Sequence, residues 1–315
     1  MLTSFFGNSK PVTLVIAIAY MLVFYLLSFW LYDSLPNDGE SWLRLTALGA
    51  ALGFAMLVFN FIIRKNTLTA GNSFGIICMA VILSLIPILL HGWDKVWSVL
   101  CLLFACRRIF SLRSERNLEK KVLDASLWIG VASLFHSASV LMIFPLFWSI
   151  SMRSFSSPRF YIIPLFGLGS VGILASTYSL VRFGDNSLLE DRLPELSFEL
   201  LPYLGWPLIY SVLTILVLLL IVGLFIVLSY NREARKDRPT ILLYGICLVS
   251  LLIIGAFSGN LNGTEWLFPA VLLGVGWGNL IDRLKRKEFK EVVLWLMLLL
   301  PILPYLIKIS GLQQA

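Results

Sequence analysis

Charge is scarce in this sequence. Asp, Glu, Lys and Arg make up 14% of its 315 residues, against roughly 25% in an ordinary soluble domain. That excludes a water-facing globule, which could not hide so much apolar surface. Histidine is scarcer still, with His91 and His136 alone, so a multi-histidine metal centre cannot be built from this chain. The four cysteines, Cys78, Cys101, Cys106 and Cys247, sit in apolar runs and form no CxxC pair. They read as small core residues, not as a disulfide framework or metal ligands. A Walker loop, a GxGxxG fingerprint, an HExxH pair and a GxSxG elbow are all missing, which disfavours nucleotide hydrolysis, a Rossmann cofactor and zincin chemistry. No cofactor and no metal is implied.

What is present is apolar sequence, 58% of the residues, at a mean hydropathy of +0.87. Lipid solvates such surface. A crossing takes about 20 apolar residues, and backbone groups in lipid must be satisfied within helices or closed barrels. The runs are continuous and rich in Leu and Ile, not alternating, so the expected fold is an all-α, polytopic transmembrane helical bundle. About eleven membrane segments are expected, at 12–32, 43–63, 73–91, 96–110, 122–135, 138–152, 160–181, 204–229, 240–257, 266–281 and 292–309. No polar region is long enough for a soluble domain, so residues 1–315 read as one integral membrane domain without repeats. The first run is longer than a signal h-region and no A-x-A site follows it, so it is expected to stay as an anchor.

Charge placement gives this map a direction. With the amino terminus inside and the segments alternating, the inner loops collect 20 of the 25 lysines and arginines. They include Arg107, Arg108, Arg113, Arg116, Lys120 and Lys121, and a second run from Arg283 to Lys290. Only Arg44, Lys95, Arg182, Arg192 and Lys308 fall outside. Under the positive-inside rule, this predicts a multi-pass protein of the cell inner membrane with a cytoplasmic amino terminus and a periplasmic carboxyl terminus. The net charge of +7 then reflects topology, and nucleic acid is not an expected partner.

One stretch resists simple crossing. Lys121 and Arg153 both lie inside by charge, and 31 residues separate them. Two helices of about 15 residues reach roughly 22 Å each, short of a hydrocarbon core about 30 Å thick. The alternatives are a short or re-entrant helical hairpin near 122–152, turning at Phe135-His136-Ser137, or helices that extend past the two basic residues with snorkelling side chains. Irregular backbone at membrane depth is tolerated only where protein or a water-filled cavity surrounds it.

Several residues are candidates for chemistry. Asp33, Asp38 and Glu40 crowd the first exterior loop, where a carboxylate could act as general base on a lipid-linked substrate; an ordinary solvated turn is the competing reading. His136 needs a polar partner at its inferred depth. His91 lies beside Trp93 at the outer end of the third segment. Arg107, Arg108 and Arg113 could hold the phosphate of an anionic lipid headgroup or a polyprenyl carrier, although topology alone also explains them. The longest exterior loop carries Glu195 and Glu199 at helical spacing, and the polar turn Ser258–Trp266 carries Glu265 and an Asn-Gly-Thr sequon.

Three stretches resemble a family of polytopic membrane proteins from Bacteroidota. They are Ser4-Phe5-Phe6-Gly7-Asn8-Ser9-Lys10-Pro11, the run RRIFSLRSERNLEKKVLDASLWIGVASLF from Arg107 to Phe135, and RFYIIPLFGL from Arg159 to Leu168. The resemblance covers most of the chain and brings no established activity. A carotene-cleaving role suggested for some members is disfavoured, because two histidines cannot supply a four-histidine iron site. The segment Ala132-Ser133-Leu134-Phe135-His136-Ser137-Ala138, which follows a basic stretch, is similar to part of the membrane polymerases and glycosyltransferases of polysaccharide assembly.

The expected role is therefore in the cell envelope, on a lipid-linked glycan or polysaccharide, as a transferase. Asp33, Asp38 or Glu40 would be the base, and Arg107 and Arg108 would bind phosphate. The rival expectation is a non-enzymatic membrane subunit or a transporter, in which Asn60 and His136 line a path or meet a membrane protein partner. Membrane lipid is a partner under either expectation.

Overall fold

The computed structural model describes residues 1–32, 38–87, 91–114, 116–152, 157–185, 208–232, 237–258 and 262–310. Every regular element among them is helical, with no strand. In chain order the helices are α1 (Leu2–Phe6), α2 (Pro11–Tyr32), α3 (Gly39–Lys65), α4 (Phe74–Ser84), α5 (Trp93–Ser111), α6 (Leu118–Phe135), α7 (Ile143–Ser151), α8 (Arg159–Phe183), α9 (Leu208–Arg232), α10 (Arg238–Ala256), α11 (Leu267–Arg283), α12 (Lys287–Leu299) and α13 (Ile302–Ile309).

Six stretches are long and apolar enough to cross a membrane: Pro11–Leu31, Gly39–Lys65, Arg159–Phe183, Leu208–Arg232, Arg238–Ala256 and Lys287–Ile309, the last joining α12 and α13. The count expected from sequence was about eleven. All eleven expected segments carry helix, but Phe74–Ser84 and Ser137–Ser151 are shorter apolar pieces. The difference has a physical basis. Every residue of α4 is buried, so this apolar run is hydrophobic on all sides because protein surrounds it. Hydropathy alone does not separate such a helix from one bathed in lipid.

The chain forms two compact units. The first comprises Met1–Val96, Phe198–Ser229 and Leu261–Ala315; the second comprises Trp97–Ser197 and Tyr230–Asn260.

In the first unit, α4 and α11 touch backbone to backbone. A Cβ added at Gly278 would lie 2.6 Å from both Cα and N of Gly75, and one at Gly274 would lie 2.8 Å from the Gly75 carbonyl oxygen and from Met79 Cβ. Small residues let apolar helices approach closely enough for dispersion to hold them. Near the start of α12, Glu291 gathers the first turn of α1: its carboxylate accepts from the amides of Leu2 (2.8 Å) and Thr3 (3.1 Å) and from the Thr3 hydroxyl (2.7 Å).

In the second unit, α6 and α8 pack by the same device. A Cβ at Gly167 would collide with the Ser126 hydroxyl, and one at Gly130 would sit 3.0 Å from Val171 side-chain atoms. Helix α6 begins at Leu118, ahead of the basic pair Lys120–Lys121, and runs 18 residues, or roughly 27 Å. Its return arm is a six-residue 3₁₀ stretch, Ser137–Met142, followed by the nine residues of α7. The larger rise of a 3₁₀ helix stretches that arm to roughly 25 Å, so the pair reaches deeper than two 15-residue α-helices would.

Gly278→Val should be among the most damaging single changes in the first unit. Overpacking against the α4 backbone predicts a loss of about 1–3 kcal/mol, read as a fall in the thermal midpoint of the detergent-solubilised protein. Gly223→Val on α9, where nothing lies within 4 Å of a new Cβ, should leave the midpoint nearly unchanged.

Candidate functional site

The second unit holds the basic candidates and His136. Helix α5 ends in Arg107 and Arg108, and a short 3₁₀ turn, Leu112–Ser114, carries Arg113. Arg108 pairs with Asp124 of α6 at 2.7 Å. Arg113 reaches Asp237 and the Thr240 hydroxyl at the head of α10, both at 3.3 Å. Two of the three guanidiniums expected to bind phosphate are thus turned onto neighbouring helices, where such partly exposed pairs contribute up to about 1 kcal/mol each. Arg107 is half-buried on the same turn.

His136 stands where α6 stops. Its Nε2 lies 3.1 Å from the Ile254 carbonyl oxygen near the end of α10. In a continuing helix that carbonyl would accept from the Ser258 amide, but that amide donates instead to Gly255 (3.2 Å). The imidazole Nε2–H takes its place and satisfies an orphaned helix-end carbonyl. The break itself is also filled. Ser98 of α5 donates to the Ala132 carbonyl at 3.1 Å and lies 2.7 Å from the Ser139 hydroxyl. The break is thus tied to α5 and α10 by hydrogen bonds, and His136 has a structural duty.

The first unit holds the acidic candidates. Asp33 lies outside the described residues, as do Glu195 and Glu199. Asp38 is the N-cap of α3, accepting the Ser41 amide at 3.2 Å. Bonds from the Ser41 side chain and amide hold its carboxyl below the ordinary carboxylate value, which makes it a weaker proton acceptor. Glu40 forms an exposed pair with Arg44 one turn along α3, at 2.8 Å. Capping and helix pairing account for both residues.

A more constrained constellation lies elsewhere in this unit, between the head of α5 and the turn before α11. Gly263 adopts φ 98°, a conformation open to glycine, and turns the chain into a 3₁₀ piece, Thr264–Trp266. Both carboxylate oxygens of Glu265 accept the Gly263 amide, at 2.9 and 3.0 Å. Lys95 Nζ sits 3.6 Å from Glu265 and donates to the Thr264 hydroxyl at 2.6 Å. Thr264 in turn donates to the Asn262 side chain at 2.6 Å. Gly92 gives room for this contact, since a Cβ there would lie 3.2 Å from Thr264. Side-chain exposure is 14% for Lys95 and 5% for Glu265. Burial pulls the Lys95 amine below its ordinary value, and the charge of Glu265 partly offsets this. One residue before Gly92, His91 stacks on Phe29 at 4.0 Å and approaches the Ser28 hydroxyl at 2.8 Å. Because Ser28 donates to the Tyr25 carbonyl, His91 Nε2 is the donor in that contact.

Glu265 is the one charged residue in the buried set of the described chain. From sequence, Glu265 is a candidate within a polar exterior turn and Lys95 an exterior charge. The available signal was the occurrence of opposite charges at the same expected end of two apolar segments. Their distance in sequence, 170 positions, hid the pairing.

Lys95→Met and Glu265→Gln should each cost about 3 kcal/mol by stranding the other group, whereas the double variant should cost less than the sum. Thermal unfolding of the four proteins in one detergent measures the coupling. Strict additivity would show that the pair is not interacting.

Comparison of the chain with protein-family models, with curated proteins and with solved structures finds no match to any of them.

Proposed function

We propose that the chain is a multi-pass protein of the cell inner membrane that acts as a transferase on a lipid-linked glycan or polysaccharide of the cell envelope. In this reading all eleven apolar segments belong to the membrane domain, with the amino terminus cytoplasmic and the carboxyl terminus periplasmic. The bias of basic residues toward one set of loops supports that orientation.

The observation that carries the proposal is the buried Glu265–Lys95 pair, which the alternating map puts on the exterior side. Charged groups withdrawn from water cost several kcal/mol each, and in membrane domains they mark working sites by default. A transferase needs a carboxylate to take the proton of the acceptor hydroxyl as that oxygen attacks the sugar and the carrier phosphate leaves. Glu265 replaces Asp38 and Glu40 as the favoured base, because those two are engaged in capping and helix pairing. Arg107, Arg108 and Arg113 stay together as the candidates for phosphate, Arg108 and Arg113 with carboxylates beside them.

A second reading, a non-enzymatic subunit or transporter, is favoured by one specific observation. Both oxygens of Glu265 are already occupied by the Gly263 amide and the Lys95 ammonium, as a structural clasp would be.

Glu265→Gln separates the two. A transferase loses its envelope glycan while the folded protein persists in the membrane; a subunit keeps its function wherever the fold survives. Normal envelope glycans in a deletion strain would end the transferase reading. Orientation is tested separately, by a carboxyl-terminal alkaline phosphatase fusion, expected to be active because that enzyme works only outside the cytoplasm.

A further inference from the structure

Orientation in the membrane explains why basic residues gather at one rim. It does not decide whether a carboxylate answers them. After α5, Arg108 and Arg113 meet Asp124 and Asp237. The turn between α11 and α12, in the first unit, is different. Arg283, Lys285, Arg286 and Lys287 are all exposed there. Asp282, Glu288 and Glu291 are the carboxylates next to them in sequence, and two of the three are withdrawn. Lys290 Nζ donates to the Asp282 carbonyl at 2.8 Å and lies 3.9 Å from its carboxylate. Glu291 is taken up by the first turn of α1. Among the described residues, Lys285, Arg286 and Lys287 make no ion pair with a carboxylate. Two aromatic rings hold the guanidiniums at the rim: Arg283 lies over Phe225 of α9 at 4.9 Å, and Arg286 over Phe289 at 6.0 Å. The open side of α12 begins at the same place. Phe289, Val292, Leu296 and Leu299 are spaced three or four apart and each is more than half exposed, whereas Leu294 and Met297 face inward. This ridge runs roughly 15 Å, half of a hydrocarbon core about 30 Å thick, which is the depth of one leaflet.

We propose that the α11–α12 turn binds the phosphodiester headgroup of an anionic phospholipid, whose acyl chain lies along the ridge of α12. Charge complementarity selects this occupant. Guanidiniums pair with phosphate oxygens through two parallel hydrogen bonds, and lysines add compact positive charge beside them. A cluster of cations immediately before a membrane helix is the usual recognition element for anionic headgroups. A zwitterionic lipid brings its own ammonium, which Lys285 and Lys287 repel. A soluble anion satisfies the cations but leaves the ridge uncovered. Four cations followed along one helix by a leaflet-deep apolar ridge match a molecule with an anionic head and an apolar tail. The site depends on α12 entering the bilayer and is independent of any chemistry at Glu265.

The test reconstitutes the full chain in phosphatidylcholine vesicles containing a small fraction of phosphatidylglycerol spin-labelled on its acyl chain. The motionally restricted part of the spectrum reports bound lipid. Phosphatidylglycerol should be held in preference to spin-labelled phosphatidylcholine. The double variant Arg286→Gln/Lys287→Gln should weaken its binding about thirtyfold. Arg64→Gln/Lys65→Gln, which removes the same two charges from the end of α3, should leave it nearly unchanged. The wild-type chain gives a measurement that needs no variant: the preference should shrink as NaCl is raised, because salt screens exposed charges. Millimolar inorganic phosphate should compete poorly, since it cannot use the ridge. No preference over phosphatidylcholine, a preference indifferent to salt, or equal losses in the two double variants would each overturn the proposal. So would full displacement by inorganic phosphate, or displacement by a smaller fraction of polyprenyl phosphate, which would assign the turn to a carrier.

Discussion

A backbone amide or carbonyl away from water has to find its partner inside the chain, and almost every feature of this protein follows from that requirement. It makes helix the only regular structure among the described residues, since a helix satisfies its backbone within one segment. It also explains what happens where a helix stops. At His136 the chain leaves α6: the Ala132 carbonyl accepts from both the His136 amide and the Ser98 hydroxyl, Ser98 meets Ser139, and the imidazole fills the vacant position at the Ile254 carbonyl. Side chains thus tie the break to the two helices beside it, Ser98 to α5 and His136 to α10.

With hydrogen bonds settled locally, association of the helices falls to packing. Lipid tails offer apolar side chains nearly what a neighbouring helix offers, so the helices must fit closely to prefer each other. Glycine supplies that fit in both units, at Gly274 and Gly278 against α4 and at Gly130 and Gly167 between α6 and α8. The same logic leaves α4 with no face toward the surroundings. Against this apolar background the clasp of Lys95, Thr264 and Glu265 stands out, because its cost is recovered only by complete pairing.

The candidate residues were legible to very different degrees. The carboxylates after the first span and the arginines after α5 were visible as clusters, but a cluster in sequence does not reveal whether its charges are free. Asp38 caps a helix, Glu40 meets Arg44, Arg108 meets Asp124 and Arg113 meets Asp237. Three of those four engagements depend on helix phase or on residues brought near by folding. His136 was recognisable as a group needing a partner at a break, yet the identity of that partner, a carbonyl 118 positions away, lay beyond any local pattern.

Composition and periodicity by themselves determined the helical class, the approximate place of each apolar segment and the asymmetry of basic charge, because these rest on local side-chain chemistry and on segment length. The tertiary structure decided which apolar helix is enclosed by protein, how the short hairpin lengthens itself through a 3₁₀ arm, and which charges neutralise one another. Those outcomes depend on contacts between residues far apart in the chain, and hydropathy carries no information about who a residue's neighbours are.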